Sequence, residues 1–164
     1  MLPALRIGLG FDIHRLEAAS DGLIPLAGVL VPAAYRVVAH SDGDVALHAL
    51  CDAILGAHAA GDLGEHFPDN DARYRGCDSS QLLAAVLALP CCQGMVIHNV
   101  DINIIAETPR LMDHKAAMRQ RLSELLSLDP SQVSIKARSH EQVDAIGEKK
   151  AIGAQAIVLL SRGS

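Results

Sequence analysis

The sequence predicts an α/β fold of the α+β sandwich kind: a mixed sheet of about four main strands, helices packed on one face, and a small N-terminal hairpin. Three observations predict it. Runs of strand length recur along the chain, and segments with helical periodicity separate them. One of these segments, 44–60, is long and rich in Ala and Leu, with an apolar stripe at Val45, Leu47, Leu50, Ile54 and Leu55. Half of the 164 residues are hydrophobic but only 2% are aromatic and Trp is absent, so the core must be built from Ala, Val, Ile and Leu.

Taken in order, Leu5 to Leu16 is an apolar, Gly-punctuated strand that carries Asp12 and His14. Leu23 to Val31 reads as short strands about a bend at Pro25 and Gly28. Asp44 to Ala60 is the first helix, with Ser41 or Asp42 placed to cap it. Residues 61–79 are polar and rich in Gly, Pro and Asp, and loops of that length in compact domains are usually functional or disordered. Ser79 to Leu89 is a second helix, Met95 to Ala106 an alternating strand, and Asp113 to Leu128 a third, amphipathic helix stopped by Asp129-Pro130. Gln132 to Ser139 and Ile152 to Leu160 are the closing strands. With no repeat, low-complexity stretch or linker, residues 1–164 are expected to form one domain.

Composition narrows the function. The formal charge is −5, no basic patch is visible and few rings are available to stack bases, which argues against nucleic acid as a partner. An acidic protein still binds a phosphorylated small molecule when metal ions and backbone N–H groups supply the positive potential. Cys51, Cys77, Cys91 and Cys92 show no C-x-x-C spacing, and the first residues lack an apolar run of signal-peptide length, so reduced thiols and a cytoplasmic location are expected. The uncharged stretch Ser79 to Val100 is no membrane span: its apolar part, Leu82 to Cys92, is short and broken by Pro90 and Gln93-Gly94.

Several groupings could carry chemistry. Asp12 and His14 are two apart on a strand and so point to one side. With His48 from the helix they make three N and O donors, which leave a tetrahedral zinc one open position. A strand Asp-x-His also occurs as a mere surface pair. Asp44, His48 and Asp52 share a helical face, so Asp44 or Asp52 is placed to accept the second ring N–H of a metal-bound His48, although such a face can equally be solvated charge. His40-Ser41-Asp42-Gly43-Asp44 enters the helix N-terminus, which offers free N–H groups to an anion or needs only a cap. The carboxylates of the Gly61 to Asp71 loop either hold sugar-like hydroxyls or keep the loop soluble. Gly8-Leu9-Gly10 lacks the third Gly of a dinucleotide fingerprint, and no Gly-Lys-Ser/Thr phosphate loop occurs. His58, His66, His98 and His114 are expected to be structural or exposed.

Taken together, Gly8-x-Gly10-Phe11-Asp12-Ile13-His14, His40-Ser41-Asp42-Gly43-Asp44-Val45-Ala46-Leu47-His48 with Asp52, Gly61-Asp62-Leu63-Gly64-x-x-Phe67-Pro68-Asp69, Asn99-Val100-Asp101-x-x-Ile104-Ile105-Ala106-x-x-Pro109, and Lys136-Ala137 with Glu141 resemble the 2-C-methyl-D-erythritol 2,4-cyclodiphosphate synthase family over essentially the whole chain. The resemblance implies that a 2-phosphate attacks the β-phosphate of a CDP-linked methylerythritol, closing a cyclic diphosphate and releasing CMP. It implies Zn2+ on Asp12, His14 and His48, and a second divalent ion, Mg2+ or Mn2+, at Glu141. It places His40 and Ser41 near the attacking phosphate, and Asp62, Leu63, Gly64, Phe67 and Asp69 around the diol. It further places Ala106, Pro109, Arg110, Leu111 and Met112 around cytidine, and Lys136 with Ser139 at the diphosphate, where Arg138, which departs from the family pattern, is placed to meet a phosphate. It also implies a homotrimer with active sites between subunits. A zinc-dependent phosphoester hydrolase and a non-catalytic nucleotide-binding trimer are the alternative readings.

The chain departs from the family pattern near its end. Lys136-Ala137-Arg138-Ser139-His140-Glu141 keeps the hydroxyl at Ser139, whereas Glu148 stands where the family has an arginine linked to a phosphate-bearing ligand in the trimer's central cavity. That charge reversal is expected to spare the chemistry and to alter or abolish an isoprenoid-diphosphate site in the cavity.

Overall fold

The computed structural model describes residues 5–68 and 71–163. Five strands form one mixed sheet: β1 (Leu5–Leu26), β2 (Val29–Val38), β3 (Met95–Ile105), β4 (Val133–Arg138) and β5 (Ala151–Arg162), in the order β2-β1-β5-β3-β4. Only β3 and β4 run parallel, and the helix α4 (Lys115–Leu126) lies in the connection between them, as a parallel pair requires. The helices α1 (Val45–Ala57), α2 (Leu63–His66), α3 (Ser79–Leu87) and α5 (Asp144–Gly147) complete the named elements.

The arm read from sequence as a small hairpin is a continuous part of the sheet. β1 runs on to Leu26 and turns at Ala27 and Gly28, both at positive φ, with a register shift against β2 between Ala18 and Gly22. β5 pairs with β1 only as far as Arg15, so the distal half of β1 has β2 on one side alone. Pro25 fits there because no neighbour needs its missing N–H.

The cap of α1 needs a correction. Neither Ser41 nor Asp42 is the N-cap: Asp44 is, with Oδ1 accepting from the Ala46 and Leu47 N–H groups. The same buried carboxylate also accepts from Ala27 N and Gly28 N, at 2.9 and 2.7 Å, and so ties the hairpin turn to the helix start. Gly43, at φ 78°, makes the turn just before the cap, where an L side chain would also strike Val37. At its far end α1 stops at Ala57 rather than Ala60, because Ala59 adopts a left-handed conformation.

Alternation along β1 sets its two faces. Gly8, Gly10, Asp12, His14 and Leu16 point toward the helices, while Ile7, Leu9, Phe11 and Ile13 point away. Gly8 and Gly10 explain how closely α1 lies on β1. A Cβ on Gly8 would run into the Ala53 carbonyl, and one on Gly10 into the Ala49 carbonyl. The glycines thus let the helix backbone approach the strand, and that approach carries His48 within reach of Asp12 and His14. The core on this face is aliphatic, with Ile102, Ile104, Ala154, Ala156 and Val158 from the sheet meeting Leu47, Leu50, Leu83, Met118 and Leu122. The other face is open and apolar: Ile7 is 71% exposed, Leu9 65%, and Ile157, which pairs with Leu9, 47%. No helix among the described residues is long and apolar enough to cross a membrane.

Candidate metal centre

The strand pair and the helix histidine converge as their spacing predicts. Asp12 Oδ2 lies 2.9 Å from His48 Nδ1 and 3.0 Å from His14 Nε2, and the two ring nitrogens are 3.1 Å apart. The three atoms form a nearly equilateral triangle. Donors bound at zinc distances of about 2.0–2.1 Å stand about 3.3 Å apart on a tetrahedron, so this triangle is close to one face of such a site. His48 is buried, whereas Asp12 and His14 keep partial exposure, so the triangle has a closed back and an open front.

The electrostatics favour a cation here. Burial works to raise the Asp12 pKa, but hydrogen bonds from His14 and His48, and their charge, outweigh it and hold the carboxyl far below its usual range. For His48, burial works to lower the pKa. The hydrogen bond and charge of Asp12, helped by the charges of Asp44 and Asp42, overcome that and raise it above 6.5. A site that draws a proton onto His48 in this way is suited to a metal ion with the proton displaced.

The second ring nitrogen of His48 finds partners that the sequence did not assign to it. Nε2 lies 2.8 Å from Ser79 Oγ and 3.2 Å from Ser41 Oγ. Ser79 is fully buried at the start of α3, and it donates its hydroxyl hydrogen and, at 3.0 Å, its backbone N–H to the Asp42 carboxylate. Asp44 and Asp52 therefore do not serve His48, contrary to the sequence expectation. Asp44 is taken up by four N–H groups, and Asp52 Oδ1 accepts from Leu63 N at 2.7 Å. Asp42 stood inside a motif already noted, but its link to Ser79 spans 37 positions and leaves no local signal.

A cavity of about 370 Å3 opens in front of the triangle. His40, Ser41, Leu63, Gly64 and Phe67 line it with the three donors, so the long polar loop does close over the site. The Asp52–Leu63 bond fastens that loop to α1, and His40 Nε2 donates to the Asp71 carbonyl at 3.2 Å. Asp62 turns to a local duty, capping α2 by accepting from Glu65 N. Asp69 lies outside the described residues.

The remaining predicted residues gather elsewhere. A second cavity, about 660 Å3, is lined by Ala106, Pro109, Arg110, Leu111, Met112, Arg138 and Ser139. Lys136 is not in its wall but pairs with Asp101 at 2.6 Å. Glu141 is exposed and accepts from Ser139 Oγ at 3.0 Å. Around it Glu141, Gln142 and Asp144 all hold positive φ, at a cost of about 1–2 kcal/mol per residue, a strain that tends to collect at functional sites. Within one chain the two cavities share no lining residue.

Three N and O donors gathered on a mixed sheet with an open front have the arrangement that suits a catalytic rather than a structural metal site. Residues 5–161 match the YgbB family, and the chain belongs to that family. It is 46% identical over 157 residues to a 2-C-methyl-D-erythritol 2,4-cyclodiphosphate synthase of Alcanivorax borkumensis, covering 96% of this chain and 97% of that protein. It is 48% identical over 156 residues to the synthase of the same name from Chromohalobacter salexigens, covering 95% of each. Among solved structures, the Plasmodium falciparum IspF complex with CDP superposes with a TM-score of 0.84 at 35% identity, covering both chains fully. The bifunctional IspDF of Campylobacter jejuni superposes with a TM-score of 0.91 at 35% identity, and this chain spans 98% of its own length but 43% of that protein.

Proposed function

We propose that this chain converts 4-diphosphocytidyl-2-C-methyl-D-erythritol 2-phosphate into 2-C-methyl-D-erythritol 2,4-cyclodiphosphate and CMP, a phosphorus–oxygen lyase step of the non-mevalonate route to isopentenyl diphosphate. The observation that carries the reading is the Asp12–His14–His48 triangle opening into a polar cavity, in a chain nearly half identical to synthases of that name. An oxygen of the 2-phosphate forms a new bond to the β-phosphorus. The bond from that phosphorus to the bridging oxygen breaks, and CMP departs with the bridging oxygen and its electron pair.

Asp12, His14 and His48 would hold Zn2+. Glu141, a single exposed carboxylate, suits Mg2+ or Mn2+ bound mainly through phosphates and water. Bound there, the two ions supply charge neutralisation between the reacting phosphates and at the leaving group. The attacking phosphate is already ionised at neutral pH, so the protein needs no strong general base. Its own residues position: His40 and Ser41 face the attacking phosphate, while Leu63, Gly64 and Phe67 line the side of the cavity that holds the diol. Ala106, Pro109, Arg110, Leu111 and Met112 seat cytidine, and Arg138 and Ser139 in the same wall hold the diphosphate. Folding one substrate so that its ends meet contributes an effective molarity of about 10⁵–10⁸ M.

The assembly is a homotrimer in which the metal cavity of one subunit faces the nucleotide cavity of the next. Two features support it: the cavities share no wall in one chain, and the outer sheet face presents an apolar stripe at Ile7, Leu9, Phe11 and Ile157. Contiguous exposed apolar surface of this kind marks an interface. Sedimentation should give three times the chain mass of 17.3 kDa, and a monomer at micromolar concentration would contradict this. Residues 1–164 act as a single domain, and four free thiols suit a cytosolic setting.

The reaction is tested by incubating the protein with Mg2+ and the CDP-linked 2-phosphate and following phosphorus NMR. CMP and the cyclic diphosphate should appear together. CMP with an uncyclised 2,4-bisphosphate would point instead to a zinc-dependent hydrolase, and no turnover to a non-catalytic binding protein.

A further inference from the structure

We propose that Asp42 and Ser79 form a positioning relay that fixes the ring tautomer of His48, so that the Nδ1 lone pair is the one presented beside Asp12 and His14. The inference rests on the metal-dependent reading above, but its test reads metal affinity rather than turnover.

The argument is one of counting hydrogens. Ser79 offers the Asp42 carboxylate two donors: its backbone N–H to Oδ2 at 3.0 Å, and its hydroxyl to Oδ1. An ionised carboxylate only accepts, so the single hydroxyl hydrogen of Ser79 is committed to Asp42. Its oxygen is then left to accept, and the group facing it at 2.8 Å is His48 Nε2. Nε2 must therefore carry a hydrogen. In the neutral ring this leaves Nδ1 bare, and Nδ1 is the nitrogen that lies 2.9 Å from Asp12 Oδ2 and 3.1 Å from His14 Nε2. The opposite tautomer would put a hydrogen into the centre of the donor triangle and set two lone pairs against each other at Ser79.

Nothing nearby replaces the relay easily. Ser79 is fully buried, so water has no ready access when its hydroxyl is lost. Ser41 Oγ is farther from Nε2, at 3.2 Å, and already accepts from Gly43 N. Asp42 is itself held, because its Oδ1 accepts from Asp44 N and its own N–H donates to the Cys77 carbonyl. The chain of contacts ties the loop before α1, the start of α3 and the metal-facing histidine into one unit. Outer partners that orient a metal-bound histidine in this way commonly matter for affinity by about 10–100-fold.

A merely structural role for Ser79 predicts a different outcome, a lower melting temperature with unchanged metal affinity, so the two can be separated. Zinc affinity is measured by competition with a chelating dye for the wild-type protein, Ser79→Ala, Ser79→Thr and Asp42→Asn. The visible spectra of the Co2+ forms and the melting of the metal-free proteins are recorded alongside. Ser79→Ala and Asp42→Asn should bind zinc about 10–100-fold more weakly and give altered Co2+ spectra. Ser79→Thr, which keeps the hydroxyl, should recover most of the affinity. A folded Ser79→Ala protein with wild-type affinity overturns the relay. If Ser79→Ala does not fold, undiminished affinity in Asp42→Asn does the same. A wild-type protein that binds no zinc would overturn the metal-dependent reading itself, and is readily told apart from either result.

Discussion

Replacing His48 with Ala should abolish stoichiometric zinc and, with it, formation of the cyclic product. His48 supplies one of the three donors among the described residues, and its imidazole is the one that reaches across from α1 to the strand pair on β1. Two donors on one strand cannot grip a tetrahedral ion in competition with water. The variant also leaves the Asp12 carboxylate with His14 as its remaining histidine partner at the centre. The fall in kcat/KM should exceed the roughly 10²–10³-fold that follows loss of a single preorganised hydrogen-bond donor, because the charge that offsets phosphate repulsion goes with the ion. Metal analysis of the purified variant, paired with a turnover assay, checks this. Retained zinc at one equivalent would show that the ion is held elsewhere.

The second large effect is expected from Gly10→Val, a position that does not line the metal cavity. A Cβ at this position meets the backbone carbonyl of Ala49, and a carbonyl within a helix cannot rotate aside as a side chain can. The helix must lift from the strand, opening the aliphatic core between Leu47, Leu50 and the sheet. Overpacking costs about 1–3 kcal/mol, and a clash with helix backbone belongs at the upper end of that range, about 3 kcal/mol. In a chain of this length each kcal/mol lowers the melting temperature by about 2–4 °C, so a drop of roughly 6–12 °C or failure to fold is expected. Zinc affinity should fall in parallel, since the same displacement carries His48 away from Asp12. Gly56→Ala is the control. The added Cβ meets only the Leu9 carbonyl at an ordinary 3.7 Å, and Ala is the better helix former, so stability should hold or rise.

Much of this arrangement was legible in the sequence because it follows from short-range geometry. Asp12 and His14 lie two apart on a strand and had to share a side, and the Ala- and Leu-rich segment around His48 had to be a buried helix. Element ends were less legible. The left-handed Ala59 that stops α1 carries no Gly signal, and Pro25 sits inside β1 only because that stretch of strand is paired on one side. The roles of the acidic residues were the hardest to read. Asp44 and Asp52 looked like partners for His48 because helical spacing places them on one face. Four N–H groups from two elements claim Asp44 instead, and the Leu63 N–H claims Asp52. Ser79 was invisible for the complementary reason: its partners stand 31 and 37 positions away, and only the fold brings them together. Gly8 and Gly10, set aside as an incomplete nucleotide motif, proved to be the contact that lets α1 lie against β1.

The most direct measurement is X-ray absorption at the zinc edge on the purified, metal-loaded protein. Two imidazole nitrogens and one carboxylate oxygen at about 2.0–2.1 Å, with one further light atom that exchanges for an added phosphate ligand, are the predicted shell. A sulfur neighbour at about 2.3 Å, or a sphere filled by four protein donors with no exchangeable position, would contradict it.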